Sequence, residues 1–233
     1  MTQINYNQEQ HSLDWYRSRL GNFTGSRIGA LMKSGKSKSE LFGQTAKSYI
    51  YQIAGERNIS PEIRDNDELF QVYLDVTSVS SKAMRWGSEQ EENAKRLYED
   101  ITQREIKPTG LCTYQDVPHF ASSPDGLVQE DGVLGCVEVK CPQLPAFTQY
   151  VSEITDNETL YKTNPDYFYQ CQAHMACTGA MFCDFIVYSP FVETPIHIVR
   201  ITRDDTIIKN MVERVKEANK MIDEIHSQIQ NRA

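Results

Sequence analysis

Between Pro108 and Pro145 the chain changes period, and that change sets the fold class. Leu111–Tyr114, Phe120–Ser122, Gly126–Gln129 and Val133–Lys140 read as short strands with polar turns between them. Glu130-Asp131-Gly132 reads as a hairpin turn, because Asp and Gly tolerate the positive φ angles of a tight reversal. Pro142 and Pro145 end the block, since proline has no N–H to give a ladder. A helix over Asp166–Thr178, stopped at Gly179, leads to two more strands at Phe182–Tyr188 and Ile196–Ile201.

Helical spacing governs the remainder. Ala46, Tyr49, Ile50, Ile53 and Ala54 mark one apolar stripe, and Ala94, Leu97, Tyr98 and Ile101 another. Ser88 with Glu91 three residues on predicts a capping box where the second of these helices starts. Ile208, Met211, Val212, Val215, Ala218, Ile222, Ile225 and Ile229 predict a long C-terminal helix. A short helix over Arg27–Lys33, capped by Thr24 or Ser26, precedes a loop at Ser34–Ser39. Residues 1–14 are polar and poorly patterned, and residues 57–83 read as an irregular excursion with one helix near Glu68–Leu74. With no repeat and no linker, the expectation is a single α/β domain over residues 1–233: a central mixed β-sheet flanked by helices, with a helical N-terminal part wrapped on it.

Composition narrows the setting. The chain has 233 residues, 39% hydrophobic and 24% charged, as an ordinary globular protein has. No run of about 18 apolar residues exists to span a membrane, and the N-terminus has no signal-peptide pattern. The six cysteines show neither a CxxC pair nor iron–sulfur spacing, so reduced, buried thiols in a cytoplasmic protein are expected. His119, His174 and His197 look isolated and are given no metal role, and Phe168, Phe182 and Phe185 read as core. The net charge of −8 argues against a general nucleic-acid coat protein. Yet residues 1–50 hold seven Lys and Arg against three acids, a net of +4 that can attract phosphate locally or merely mark a solvated lysine-rich loop.

The chemistry-bearing stretch is Ser122-Ser123-Pro124-Asp125-Gly126, then Glu138-Val139-Lys140. Glu138 and Lys140 are two apart on a strand and share a face, while Val139 points the other way into the core. The hairpin returns them to Asp125. Two carboxylates and a backbone carbonyl are hard oxygen donors suited to Mg²⁺ or Mn²⁺. A cation there would lower the pKa of Lys140, which could orient or help deprotonate a water. A surface hairpin with a polar face would give the same pattern. Glu91 in an acid-rich helical turn could add a carboxylate or simply complement the helix dipole. Gln170 and His174 share a helix face, where Gln170 could hold water or phosphate or be a half-exposed position. Arg19 with Thr24-Gly25-Ser26 makes a candidate phosphate pocket.

Taken in order, Trp15-Tyr16-Arg17-Ser18-Arg19-Leu20-Gly21, Thr24-Gly25-Ser26, Trp86-Gly87 with Glu91, Ser123-Pro124-Asp125-Gly126-Leu127, Glu138-Val139-Lys140-Cys141-Pro142 and Tyr167-Phe168-Tyr169-Gln170 resemble one family. It is the lambda exonuclease and YqaJ-type viral recombinase nucleases of the PD-(D/E)xK superfamily. The resemblance implies a restriction-endonuclease-like core and a Mg²⁺-dependent 5′-to-3′ exonuclease of linear double-stranded DNA. Such an enzyme releases 5′-mononucleotides and leaves a 3′ single strand for an annealing protein. It also implies a homotrimeric ring, whose basic bore would reconcile DNA binding with an acidic exterior, in a bacterial cell carrying phage or prophage.

Carried onto this chain, the resemblance makes Asp125, Glu138 and the Val139 carbonyl metal ligands, and has Glu91 serve a second ion. Lys140 becomes the catalytic lysine assisted by Gln170, Arg19 the group that binds the 5′-phosphate, and Thr24, Ser26 and Ser123 further phosphate contacts. The mechanism so implied is two-metal phosphodiester hydrolysis. Residues 56–85 look longer than the matching stretch of lambda exonuclease, which points to an insertion before Trp86. A structure-specific or restriction-type endonuclease would share the metal site, and a non-catalytic DNA-end-binding module would not need Asp125, Glu138 and Lys140 together.

Overall fold

Asp131 and Gly132 take φ of 50° and 80°, the left-handed turn that their side chains permit. That turn reverses β5 (Gly126–Glu130) into β6 (Val133–Lys140), with Gly126 opposite Val137 and Glu130 opposite Val133. The computed structural model describes residues 3–4, 8–37, 40–77 and 82–232. The other strands are β1 (Gln3–Ile4), β2 (Phe23–Thr24), β3 (Cys112–Thr113), β4 (Phe120–Ser122), β7 (Phe182–Tyr188) and β8 (Ile196–Thr202). The helices are α1 (Leu13–Arg19), α2 (Ile28–Leu31), α3 (Gln44–Arg57), α4 (Pro61–Asp65), α5 (Asp67–Thr77) and α6 (Lys82–Thr102), then α7 (Leu144–Glu153), α8 (Asn157–Thr163), α9 (Pro165–Thr178) and α10 (Asp205–Gln230).

The main sheet has the order β5-β6-β7-β8 and is mixed: β6 and β7 run parallel, while β5 and β8 pair antiparallel at its edges. A parallel pair needs a crossover, and α7, α8 and α9 supply it. Alternate residues of β6 serve opposite faces. Cys136 joins Cys171, Met175 and Phe185 on the α9 side, while Val137 and Val139 join Ala94, Tyr98 and Ile186 on the α6 side. On the α6 side Asp184 is also buried, satisfied by the Tyr98 hydroxyl at 2.7 Å and by Arg200 Nε at 2.9 Å.

The sequence led us to expect one sheet, but there are two. β3 and β4 leave the main sheet for a second one, ordered β1-β3-β4-β2, in which β2 runs parallel to β4. Between the sheets lies α9, which packs on β1, β3 and β4 and also on β6 and β7. Its residues from Gln170 to Thr178 are all buried, so its periodicity carries no polar face. Even Gln172 is taken up, donating to the Thr202 carbonyl and accepting from Asp204 N, both at 2.9 Å. Gly179 ends the helix at φ 78°. The third core region joins α2, α3 and α10 through Leu31, Ile50, Ile53, Val215 and Ile222.

Several local expectations change. Ser88 is not an N-cap, because α6 already starts at Lys82 and carries Ser88 in its interior. Ile101 and Ile229, placed on apolar stripes, are exposed because their helices outrun the core there. Neither Thr24 nor Ser26 makes a side-chain cap: Gly25–Arg27 is a 3₁₀ turn that runs into α2. The excursion at 57–83 contains α4, started by Ser60 and Pro61, and α5, anchored by the fully buried Phe70. Residues 78–81 of that excursion, Lys38 and Ser39 of the loop, and Met1, Thr2 and Asn5–Asn7 lie outside the described residues. The helix α1 was not expected, although Ser12 accepts from Trp15 N at 3.2 Å in a plain N-cap. All six cysteines are free, and Cys141 alone is not buried. No helix among the described residues is long and apolar enough to cross a membrane.

Gly135 tests the packing of β6 on β7. A Cβ there would meet the Phe182 ring at 2.2 Å, and that ring is also held by the Arg200 guanidinium, 3.9 Å from its centroid. Gly135→Ala is expected to lower the unfolding free energy by about 1–3 kcal/mol, read as a lower urea midpoint at constant slope. An unchanged midpoint would show that Phe182 yields freely.

Candidate active site

The strand β5 stops at Gly126, so the edge of β6 beyond Val137 has no strand to pair with. Asp125 takes its place. Its backbone N–H donates to the Val137 carbonyl at 3.0 Å, and its carboxylate accepts from Val139 N at 2.6 Å. The Val139 carbonyl points to the same edge as its N–H, and Val139 lines the cleft that opens here. Pro124 ends the preceding segment, and its carbonyl accepts from the Gln10 side chain at 2.8 Å.

Glu138 looks from β6 towards α9 and is 2% exposed. One oxygen, Oε1, meets the Lys140 ammonium at 2.5 Å. The other, Oε2, meets His174 Nε2 at 2.6 Å, and His174 Nδ1 meets the Ser122 hydroxyl at 2.6 Å. Lys140 also donates to Gln170 Oε1 at 3.4 Å and sits 4.6 Å above the Tyr167 ring. Glu91 lines the same cleft from α6, and Lys95 one turn on pairs with it at 2.6 Å.

These neighbours split the two carboxyl groups. Burial, then repulsion by Glu138 and Glu91, pushes Asp125 well above the ordinary carboxylate range. Burial presses Glu138 the same way, but Lys140 and His174 outweigh it and hold Glu138 at about 2. Burial would lower Lys140 as well, yet Glu138 foremost among its neighbours raises it above the ordinary value. The sequence led us to expect the opposite sign, which a nearby cation would give. Among the protein's own groups, Lys140 is a fixed ammonium.

A second group faces the first across the cleft. The Arg19 guanidinium stacks 4.3 Å from the centroid of the Trp15 ring and donates to Ser26 Oγ at 3.0 Å and Ser123 Oγ at 3.5 Å. Trp15 Nε1 donates to the same Ser123 hydroxyl at 3.1 Å. Burial pushes Arg19 down from its ordinary value, and its hydrogen bonds go to neutral hydroxyls. A guanidinium held this way presents unneutralised charge to an anion. Both groups line one cleft of about 490 Å³.

Of the residues expected at a site, Asp125, Glu138, Val139, Lys140, Gln170, Glu91, Arg19, Ser26 and Ser123 all line this cleft. Thr24 does not: it is 6% exposed in the second sheet, where its N–H donates to the Tyr49 hydroxyl at 3.1 Å. The sequence reading gave no site role to several contributors. His11, Tyr167 and Cys141 line the cleft, and His174 contacts Glu138 from behind it. The signal for His174 was present, since it follows Gln170 by one helical turn. Its partner Glu138 lies 36 residues away, a distance that helical spacing does not report. Among the described residues, no three His, Cys, Asp or Glu side chains are already gathered into a metal cage.

Comparison with known proteins bears on this cleft. No curated protein matches the chain. Among solved structures it is similar to an alkaline exonuclease (LHK-Exo) from Laribacter hongkongensis, at 26% identity and a TM-score of 0.72, over 95% of this chain and 100% of that one. The structure of LHK-Exo in complex with dAMP matches at 25% identity over the same shares, also with a TM-score of 0.72. A phage-related exonuclease from Haemophilus somnus 129PT shares the fold, at 18% identity and a TM-score of 0.63, over 89% of this chain and 96% of that one. The architecture is thus the mixed α/β, restriction-endonuclease-like fold of such exonucleases. The model of the YqaJ-like viral recombinase domain matches residues 14–181, well over half of the sequence, and the chain therefore belongs to that family.

Proposed function

We propose that the chain, acting as a single domain over residues 1–233, is a metal-dependent 5′-to-3′ exonuclease of linear double-stranded DNA. The observation that carries this reading is the convergence of Asp125, Glu138 and Lys140 with Arg19, Ser26 and Ser123 in one cleft. One half suits a divalent cation and a scissile phosphate; the other suits a terminal phosphate.

The donor set fits Mg²⁺, with Mn²⁺ as a substitute. Burial, together with the nearby Glu138 and Glu91, disfavours the charge of Asp125, and a divalent cation offsets both. Mg²⁺ needs only one or two carboxylates, because it keeps waters and takes substrate phosphate oxygens, so a three-ligand cage is not required. Asp125, Glu138 and the Val139 carbonyl would hold one ion, and Glu91, released from Lys95, a second. When bound, the ions supply Lewis-acid stabilisation of the phosphate and a more acidic water.

The chain's own groups do the rest. Lys140, displaced from Glu138 Oε1, keeps its ammonium at the scissile phosphate, where it orients water and offsets developing negative charge. Gln170, bonded to Lys140, positions that ammonium. Arg19 grips the 5′-phosphate with Ser26 and Ser123 and so measures one nucleotide to the cut. The LHK-Exo complex with dAMP supports a mononucleotide-sized site. On this reading the released 5′-mononucleotides leave a 3′ single strand for an annealing protein. Three copies close into a ring around the duplex, in the cytoplasm of a bacterial cell that carries the phage.

The test is a linear duplex with a 5′-phosphate on one strand, beside a closed circle, with Mg²⁺ and with EDTA. Mg²⁺-dependent loss of the phosphorylated strand alone is expected. Cutting of the circle would replace this reading with an endonuclease, and binding without cleavage would replace it with a DNA-end-binding module. Asp125→Ala, Glu138→Ala and Lys140→Ala are each expected to reduce cleavage to background while duplex binding persists. Arg19→Ala is expected to weaken the preference for a 5′-phosphorylated end by about 10–100-fold, the loss of one charge-assisted hydrogen-bonding group. Asp125→Asn replaces a carboxyl whose charge burial and the neighbouring acids disfavour. In EDTA at pH 8 it is expected to raise the unfolding midpoint by about 2–4 °C for each kcal/mol relieved, and a lower midpoint would refute that cost.

A further inference from the structure

His174 stands directly behind the cleft, against Glu138, and the proposed chemistry leaves it without a task. It is 1% exposed, buried in the middle of α9, and both ring nitrogens are engaged. A bare Nε2 would set a lone pair against the Glu138 carboxylate 2.6 Å away, so Nε2 carries a proton and donates it to Oε2. The Ser122 hydroxyl, 2.6 Å from Nδ1, completes the ring by donating to a bare nitrogen or accepting from a protonated one.

Gly25 gives independent support. A Cβ there would come within 2.1 Å of Ser122 Oγ and 3.4 Å of the Ala173 methyl. No side chain fits, so the turn that carries Ser26 closes over the Ser122 hydroxyl and holds it against His174. One chain of contacts thus runs from the Arg19–Ser26 phosphate pocket, through Gly25, Ser122 and His174, to Glu138.

We infer that His174, fixed by Ser122, is a positioning residue: it occupies Glu138 Oε2 so that only Oε1 is presented to a divalent cation. The inference rests on the reading of Glu138 as a metal ligand. A carboxylate tied by one oxygen cannot turn about its terminal torsion, and it binds an ion through one atom with its orientation already set. Without His174, Lys140 still pairs with Glu138 Oε1, but the carboxylate loses that orientation, and an ion must order it on binding.

The experiment measures Mn²⁺ binding by electron paramagnetic resonance, using the full chain on a 5′-phosphorylated duplex with non-hydrolysable phosphorothioate end linkages. Parent, His174→Leu, His174→Gln and Ser122→Ala are compared, and thermal unfolding in EDTA verifies that each folds. His174→Leu is expected to weaken Mn²⁺ binding by about 10–100-fold, the usual loss when the hydrogen-bond partner of a ligand is removed. The Mn²⁺ concentration for half-maximal cleavage of an ordinary duplex should rise by the same factor. His174→Gln, whose amide N–H reaches about as far as the imidazole Nε2, is expected to restore most of the affinity. Ser122→Ala removes a single crowded oxygen and is expected to shift binding in the same direction by less, which keeps the test decisive if His174→Leu does not fold. Parental affinity in His174→Leu, or a loss in His174→Gln as large as in His174→Leu, overturns the inference while leaving the metal site intact. No Mn²⁺ binding by the parent itself overturns the metal reading from which it starts.

Discussion

A carboxylate almost sealed from water in the middle of a β-sheet is tenable only if the protein supplies what water would have supplied. Glu138 is that carboxylate, and the arrangement around it follows from meeting its needs. Lys140 comes from the same strand two residues on, and His174 from the helix packed across the sheet. An ammonium on one side and an imidazole on the other meet it within hydrogen-bond reach, so Glu138 remains an anion although burial favours its neutral form. Asp125 has no comparable partner, since its hydrogen bond comes from a backbone N–H while two other carboxylates press on it. The imbalance is local and lies at the mouth of a cleft. Natural sites hold such imbalance where a ligand resolves it.

The fold keeps this arrangement rigid. Glu138 is on the inner strand β6, paired with β7 and flanked on its other edge by Asp125, and His174 is on a helix clasped between two sheets. By contrast, the Arg19 side of the cleft is built from short pieces: α1, the two-residue strand β2 and the 3₁₀ turn at Gly25–Arg27. Those pieces stay in place through side chains, as where Trp15 and Arg19 share Ser123, or where Tyr49 holds Thr24. A firm acidic cluster thus lies next to a basic group held by short, separately anchored elements.

The sequence disclosed most where local rules were sufficient. The hairpin from Gly126 to Lys140 was legible because Asp131 and Gly132 demand a turn and the flanking residues favour strands. Its legibility carried Asp125, Glu138 and Lys140 with it. Arg19, Ser26 and Ser123 were legible as a group through the family resemblance, and the cleft does gather them. Thr24 failed because it ends the strand β2 inside the second sheet, while the 3₁₀ turn that follows carries Ser26 to the cleft. Ser88 failed because Ser-x-x-Glu is a capping signal only where the preceding residues are not helical. The second sheet was out of reach, since two-residue strands such as β1 and β2 leave no periodicity. Nor could spacing join His174 to Glu138, because that contact is made by tertiary packing.

The crossover between β6 and β7 also gives the site an order of assembly. The bond from Val139 to Asp125 closes a span of 14 residues through a tight turn, whereas the one from His174 to Glu138 closes 36. The shorter closure has the lower entropic penalty and comes first. A chain folded only that far has drawn two acids together without the imidazole that steadies one of them, so the hairpin is disfavoured by the very residues it displays. Docking of α9 removes that penalty. The acidic cluster is therefore steadied only together with the core that surrounds it.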